Sequence, residues 1–186
     1  MKRSFKKIAL KELAGLVHST LMKHEIDAVL TGGACVTIYS ENKYQSLDLD
    51  FVSPAVEYNA KNILAAMQEL GFKKAAEGFF ARKDCPYIVE FIPPPLAIGS
   101  EPVKKTSLVH TRGGSLRLLT PTDCVKDRLA AFYHWNDPQS LEQAVMVAKK
   151  HRIDLREVKR WSRVEGKLDK FKNFLLKRRN RPTKNK

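Results

Sequence analysis

The sequence has few cysteines, and they form no recognisable framework. Its 186 residues include only Cys35, Cys85 and Cys124, and no two of them make a Cys-x-x-Cys pair. An odd, widely spaced set argues against a disulfide-stabilised secreted domain and against a four-ligand zinc site. We therefore expect the protein to reside in a reducing cytoplasm.

Long apolar runs are also missing. No stretch approaches the 18 consecutive apolar residues of a membrane-spanning helix. The basic start of the chain runs into Lys11 and Glu12 instead of an apolar segment, so we expect neither a secretory signal nor a membrane partner. Hydrophobic residues still make up 43% of the chain, which is enough for a core and excludes wholesale disorder.

Acidic residues are scarce at the two ends of the chain. The net charge is +14, from 34 Lys and Arg against 20 Asp and Glu. Residues 2–11 carry five bases and no acid, and residues 167–186 carry nine bases and one acid, which leaves a net charge of only +1 for residues 12–166. Cationic ends are typical of proteins that contact RNA or DNA, although improved solubility is an equally simple reading.

Hydrophobic periodicity predicts an α/β (α+β) fold, in which a mixed β-sheet flanked by helices precedes a helical C-terminal region. Helices are predicted over residues 5–24, 34–39, 59–70, 121–135, 139–150 and 154–176. Strands are predicted over residues 26–30, 46–52, 79–82, 87–92, 107–111 and 116–119. We divide the chain into an α/β core (1–119), a helical region (120–176) and a basic, disordered tail (177–186).

A pair of aspartates stands out in the second predicted strand. Side chains alternate along a strand, so Asp48 and Asp50 share one face, while Leu47, Leu49 and Phe51 face the other way into the core. Adjacent carboxylates repel unless a positive charge lies between them, and Mg²⁺ is a common partner of such oxygen ligands. Taken alone, the pair is more often a solvated strand face.

Glu90 repeats this pattern in a later strand. Its neighbours Ile88, Val89, Phe91 and Ile92 are all apolar, so a partner for its charge is expected. A metal shared with the two aspartates would serve, and so would an ion pair with one of the many Lys or Arg residues, for example Arg82 across the hairpin. A third feature, Thr31-Gly32-Gly33, follows a strand and opens a helix without forming a P-loop or a dinucleotide motif.

The three features together resemble the DNA polymerase beta-like nucleotidyltransferase superfamily. The segments are Thr31-Gly32-Gly33, residues 46–52 and Val89-Glu90-Phe91-Ile92, and the resemblance spans roughly residues 25–150. Within the superfamily, the chain is most similar to small bacterial nucleotidyltransferases that include abortive-infection type toxins. The resemblance implies transfer of a nucleoside monophosphate from ATP or another NTP to a hydroxyl group.

The resemblance also implies roles for individual residues. Thr31, Gly32 and Gly33 would bind the NTP phosphates through backbone N–H groups and the positive end of the following helix. Asp48 and Asp50 would hold Mg²⁺, with Mn²⁺ as a substitute. Glu90 would be the third metal ligand and would help to deprotonate the attacking hydroxyl.

A cation for the triphosphate is expected on the helix that begins near Pro121, where Lys126 and Arg128 are the candidates. On a helical wheel Arg128 flanks the buried face, so it is favoured over Lys126. An arginine that only covers the edge of the core is the simpler alternative. The nearby aromatic residues Trp135 and Trp161 are interpreted as core. Tyr133 could stack on a base, but core is the favoured reading for it as well.

Two classes of function follow. The first is a Mg²⁺-dependent nucleotidyltransferase that modifies a hydroxyl of RNA, such as a tRNA 3′ end, or of a protein. The second is an inactive nucleic-acid-binding module with the same fold, or a component of a toxin–antitoxin pair with a partner protein. The retained acids favour the enzyme, because a module that only binds phosphates gains nothing from clustered carboxylates.

Overall fold

The computed structural model describes residues 4–54 and 59–180, and these residues form seven α-helices and nine β-strands. The helices are α1 (Leu10–Lys23), α2 (Gly32–Tyr39), α3 (Ala60–Glu69), α4 (Pro121–Trp135), α5 (Pro138–Lys150), α6 (Leu155–Val164) and α7 (Leu168–Arg179). Together the elements confirm a mixed α/β fold with a helical C-terminal part.

The strands are β1 (Val29–Leu30), β2 (Asp48–Val52), β3 (Lys73–Ala76), β4 (Phe79–Ala81), β5 (Ile88–Ile92), β6 (Ala97–Ile98), β7 (Glu101–Pro102), β8 (Thr106–Thr111) and β9 (Gly114–Leu119). Seven of them form one sheet in the order β3-β4-β5-β2-β1-β9-β8, and β6 pairs with β7 in a separate hairpin. The sheet is mixed, because β1–β9 and β2–β5 are parallel while its other pairs are antiparallel.

Strands β2 and β5 lie side by side near the middle of the sheet. Alternate residues of both strands are buried, as the period of two requires: Leu49 and Phe51 on β2, Val89 and Phe91 on β5. The alternate positions of the two strands, which include Asp48, Asp50 and Glu90, therefore lie on the opposite face of the sheet. Leu47 departs from the prediction, since it precedes the strand and is 71% exposed.

Helix α4 begins with a strong start signal. The Thr120 hydroxyl accepts a hydrogen bond from the Asp123 N–H at 3.1 Å, and Pro121 occupies the first turn, where its missing N–H costs nothing. The helix packs against α2, α5 and α6. Its start is fixed by local sequence, and its packing places one face beside the carboxyl-bearing face of the sheet.

The structure corrects several predicted boundaries. The first helix starts at Leu10 instead of residue 5, although Phe5 and Ile8 are buried. Strands β3, β6 and β7 were not predicted; β3 is exposed throughout and so has no alternating pattern to reveal it. Within the described ranges, no helix has the length and apolar character needed to cross a membrane.

The predicted helix over 154–176 is divided into α6 and α7. Gly166 adopts a left-handed φ of +67°, which ends α6 and redirects the chain. Val164, the last residue of α6, is exposed. The predicted disorder is wrong for residues 177–179, which form the last turn of α7, whereas residues 181–186 lie outside the described part of the chain.

Candidate active site

The glycine turn lies directly against the aspartate strand. Gly32 is the first residue of α2 and has a φ of +64°, a conformation that glycine adopts without steric cost. A Cβ atom at this position would lie 2.1 Å from Asp50 Oδ2. The Thr31 backbone N–H and hydroxyl both donate to the Asp50 carbonyl, at 2.8 and 3.2 Å. The turn and the carboxylate are thus held together by backbone contacts.

The start of α2 is suited to binding an anion. The Thr31 side chain makes no capping hydrogen bond, so it does not occupy the N–H groups of the first turn. Gly32 and Gly33 have no side chains that would shield these groups. N–H groups at the start of a helix are suited to contact phosphate oxygens.

The three predicted carboxylates meet in one cleft. Strands β2 and β5 are parallel, and Asp50 is the direct register partner of Glu90, as Asp48 is of Ile88. Asp48, Asp50 and Glu90 all line a cleft of about 530 Å³, together with Thr31, Gly32 and Arg128. This volume is typical of small-molecule sites. Parallel pairing of two strands about 40 residues apart in sequence is what brings the acids together.

The carboxylates repel each other strongly. Burial, and then the charges of Asp48 and Glu90, raise the pKa of Asp50 from 3.8 to about 7. Burial and the charge of Asp48 also raise the pKa of Glu90. Asp48 accepts a short hydrogen bond from the Ser46 hydroxyl. The cleft therefore carries more negative charge than its surroundings compensate.

Arg128 supplies part of the missing positive charge. Its guanidinium donates to Asp127 from Nε at 2.8 Å, and its charge acts to lower the pKa of Asp50. Burial opposes the charged form of Arg128, but Asp127 and Asp50 outweigh it and raise its pKa. The predicted Arg82–Glu90 alternative is not formed, because Arg82 instead pairs with Asp84 at 2.6 Å.

Lys126 does not line the cleft. Its ammonium lies 3.2 Å from Glu157 and 3.6 Å from Asp123, and it is 5.7 Å from the centre of the Trp161 ring. The side chain is 6% exposed and faces α6. The structure therefore corrects the assignment of Lys126 to the nucleotide site: its charge is used to hold α4 and α6 together.

The residues present fit a divalent cation in chemistry but are not preassembled around one. Asp48, Asp50 and Glu90 offer hard oxygen ligands, and burial together with the neighbouring carboxylates raises the pKa of Asp50, so a cation would favour its charged form. Among residues 4–54 and 59–180, no three side chains of His, Cys, Asp or Glu already form a metal-binding group. A cation would have to draw the carboxylates together.

Two site features escaped the sequence reasoning. Trp135, predicted to be core, is 77% exposed and lines the cleft, whereas Tyr133 and Trp161 are buried as expected. The segment from Pro93 to Gly99, which includes strand β6, forms another wall of the cleft. The sequence does indicate where Trp135 lies. It follows Arg128 by seven residues, or two helical turns, and is therefore on the same face of α4.

Comparisons with solved structures identify the fold. The chain is 12% identical to an antigenic nucleotidyltransferase-like protein from Paracoccidioides brasiliensis, covering 93% of this chain and 94% of that one with a TM-score of 0.62. A crystal structure of ANT(2″)-Ia in complex with adenylyl-2″-tobramycin is 11% identical, covering 89% and 98%, with a TM-score of 0.53. A solution structure of the antibiotic-resistance factor ANT(2″)-Ia is 11% identical, covering 88% and 91%, with a TM-score of 0.51.

No protein-family model matches the chain, and no curated protein sequence gives a significant match. The structural likeness shows that the chain has a nucleotidyltransferase-like fold. At these low identities the likeness establishes the fold and leaves the activity to be argued from the site.

Proposed function

We propose that this protein transfers a nucleoside monophosphate from an NTP to a hydroxyl group and releases pyrophosphate. The observation that carries the proposal is the register of Asp50 with Glu90, which gathers three carboxylates beside Gly32 and Arg128 in one cleft. A protein that only binds nucleic acid would gain no affinity from half-buried, mutually repelling acids. Their presence opposite a phosphate-binding turn is better explained by catalysis.

The residues of the chain divide the work between binding and proton transfer. The N–H groups at the start of α2 and the guanidinium of Arg128 would hold the triphosphate. The acceptor oxygen would attack the α-phosphorus, the bond from that phosphorus to the bridging oxygen would break, and pyrophosphate would leave. Glu90 would accept the hydroxyl proton, and its raised pKa makes it a stronger base than an ordinary glutamate.

Asp48 and Asp50, with Glu90, would hold Mg²⁺, or Mn²⁺ in its place. The cation would supply charge neutralisation for the triphosphate and for the developing negative charge. The chain's own contribution is to fix the two aspartates on a strand whose other face is buried, so that their positions do not depend on loop motion.

A second groove offers a place for the acceptor. It has a volume of about 530 Å³ and lies between α3 and the β4–β5 hairpin, and Glu90 and Pro93 line both this groove and the cleft. Apolar side chains such as Phe79 line it, together with Lys61 and with Lys74, which pairs with Glu77 at 2.7 Å. Glu90 thus stands between the two spaces, where a base for the acceptor hydroxyl is needed.

The positive charge of the chain ends favours RNA as the acceptor. Lys61 and the partly exposed Phe79 ring, which both line the groove, suit a phosphate and a stacked base. A small-molecule hydroxyl is the second candidate, because the similar ANT(2″)-Ia structure contains adenylyl-2″-tobramycin. A protein hydroxyl, as in a toxin that acts on a partner protein, would use the same chemistry and is separated from RNA by the experiment.

The test is incubation of the purified protein with each α-³²P-labelled NTP, Mg²⁺ and a cell lysate that has been treated either with RNase or with protease. We expect an RNA to become labelled, so that RNase treatment abolishes the labelled product and protease treatment does not. Label that only protease removes would replace RNA by a protein acceptor, and label in small molecules would favour the second candidate.

Three variants provide the controls. Asp48→Ala combined with Asp50→Ala, and separately Glu90→Gln, should abolish labelling. Asp169→Ala removes a carboxylate that is 96% exposed and lies on α7, so it should label like the wild type. If the wild type transfers no label from any NTP with Mg²⁺ or Mn²⁺, the proposal is wrong and the inactive binding module is the better description.

A further inference from the structure

Trp135 is an exposed aromatic residue at the rim of the cleft. The protein has two tryptophans, and they have opposite environments: Trp161 is 0% exposed, whereas Trp135 is 77% exposed. Single exposed apolar side chains are common on protein surfaces, so the exposure of Trp135 alone indicates nothing. Its place in the lining of the cleft, with Asp50 and Arg128, points to a ligand.

The helix that carries Trp135 also carries Arg128. Seven residues make two turns of α-helix within about 20°, so both side chains leave the same face of α4, about 10.5 Å apart along its axis. Ala130 and Ala131 line the cleft between them. Their small side chains leave the space between a guanidinium and an indole ring open.

The wall opposite this end of α4 is held in place. Glu165 accepts hydrogen bonds from the Ser100 N–H and hydroxyl, both at 2.9 Å, and lies 3.1 Å from His134, the neighbour of Trp135. The Trp161 indole N–H donates to the Ile98 carbonyl at 3.2 Å. These contacts fix the β6–β7 hairpin beside the C-terminal end of α4, so the two walls keep their spacing before any ligand binds.

From this arrangement we infer that the base of the NTP stacks on the indole ring of Trp135 while its phosphates lie at the Arg128 end of the cleft. The inference rests on the proposed function, because it takes the triphosphate site as given. The described residues lining the Trp135 end, such as Ala97, Ile98 and Gly99, carry no hydrogen-bonding side chains. Recognition by stacking alone is tolerant of the identity of the base, since every base has an aromatic face.

The test compares a ligand that has a base with one that lacks it. ATP and inorganic tripolyphosphate are titrated by calorimetry, with Mg²⁺, into the wild type, Trp135→Ala and Trp135→Phe. Loss of a stacked base weakens binding by about 5- to 150-fold. We expect Trp135→Ala to lose this factor for ATP and to bind tripolyphosphate within about twofold of the wild type, and Trp135→Phe to retain most of the ATP affinity.

Fluorescence gives a second readout on the unmodified protein. Because Trp161 is fully buried, ATP should quench the emission of Trp135, and tripolyphosphate should not. Val164→Ala is the matched control, since it removes an exposed apolar side chain that does not line the cleft; its ATP affinity should be unchanged.

The outcomes separate the two proposals. If the wild type binds ATP and tripolyphosphate equally well, or if Trp135→Ala leaves the ATP affinity intact, the stacking inference is overturned while the phosphate site stands. A Trp135→Ala variant that binds ATP normally but loses affinity for the acceptor also overturns it. If neither ligand binds the wild type, the proposed function fails, and the inference fails with it.

Discussion

Gly32 and Asp50 are packed so closely that any side chain at position 32 would displace the Asp50 carboxylate. A Cβ atom there would lie 2.1 Å from the Asp50 carboxylate, and the left-handed backbone of Gly32 disfavours any side chain as well. The glycine turn and the candidate metal ligand therefore form one unit. A change in the conformation of the turn would therefore move the Asp50 carboxylate directly.

We expect Gly32→Ala to destabilise the protein and to abolish nucleotidyl transfer. Left-handed backbone costs an alanine about 1–2 kcal/mol, and displacement of the Asp50 side chain adds to this. The free energy of unfolding, measured with urea, checks the first effect and labelling from NTP checks the second. Gly166→Ala is the control: Gly166 has a similar φ of +67°, but a Cβ atom there meets nothing within 4 Å. Equal effects of the two substitutions would show that the contact with Asp50 is unimportant.

Asp50→Asn should stabilise the protein near pH 8 while abolishing its activity. Burial and neighbouring charges raise the pKa of Asp50 to about 7, so the folded state binds a proton more tightly than the unfolded state. Stability due to this group is thus present below pH 4 and is lost as the pH rises towards 7.

We expect a gain of about 1–3 kcal/mol for Asp50→Asn at pH 8 and little or none at pH 4, where both residues are neutral. Thermal unfolding across this pH range measures the gain. Asp169→Asn, at an exposed site, should give a stability difference from the wild type that does not change with pH. A gain that does not depend on pH would mean that ionisation of Asp50 is not its cause.

Arg128→Gln should mainly weaken phosphate binding, whereas Lys126→Met should mainly lower the stability of the protein. Arg128 lines the cleft, so its loss should weaken tripolyphosphate binding by about tenfold or more, the value of a charge-assisted contact. Lys126 lies among Glu157, Asp123 and Glu101, so its loss should cost about 1–3 kcal/mol of stability and leave phosphate affinity unchanged. Calorimetry and urea denaturation on both variants check this contrast, which would disappear if Lys126 reached the cleft.

Removal of residues 181–186 should weaken RNA binding without loss of stability. This segment contains three bases, so we expect the slope of log affinity against log salt to fall by about 2. Removal of residues 177–186 should also lower the melting temperature, because Lys177 pairs with Glu142 and Arg178 donates to the Ala148 carbonyl. Salt titrations with both truncated proteins test this; an unchanged slope after the shorter deletion would show that these bases do not contact RNA.

Several features of the site were predictable because they depend on local periodicity. The alternation in residues 46–52 puts Asp48 and Asp50 on one face, and the same rule applies to Glu90 within β5. Thr120 and Pro121 mark the start of α4, and the helical wheel favours Arg128 over Lys126. The break at Gly166 was missed, because the apolar spacing of residues 154–176 continues across it and gives no sign of the left-handed backbone.

The tertiary structure decided what the periodicity could not. The sequence determined that three acids each stand beside buried strand residues and that a glycine pair precedes a helix. Only the parallel pairing of β2 with β5 put Asp50 in register with Glu90, and only the packing of α4 left Trp135 at the rim of the cleft while Trp161 was buried. The physical reason is that side-chain direction is set by neighbouring residues along the chain, whereas register and burial depend on contacts between segments far apart in sequence.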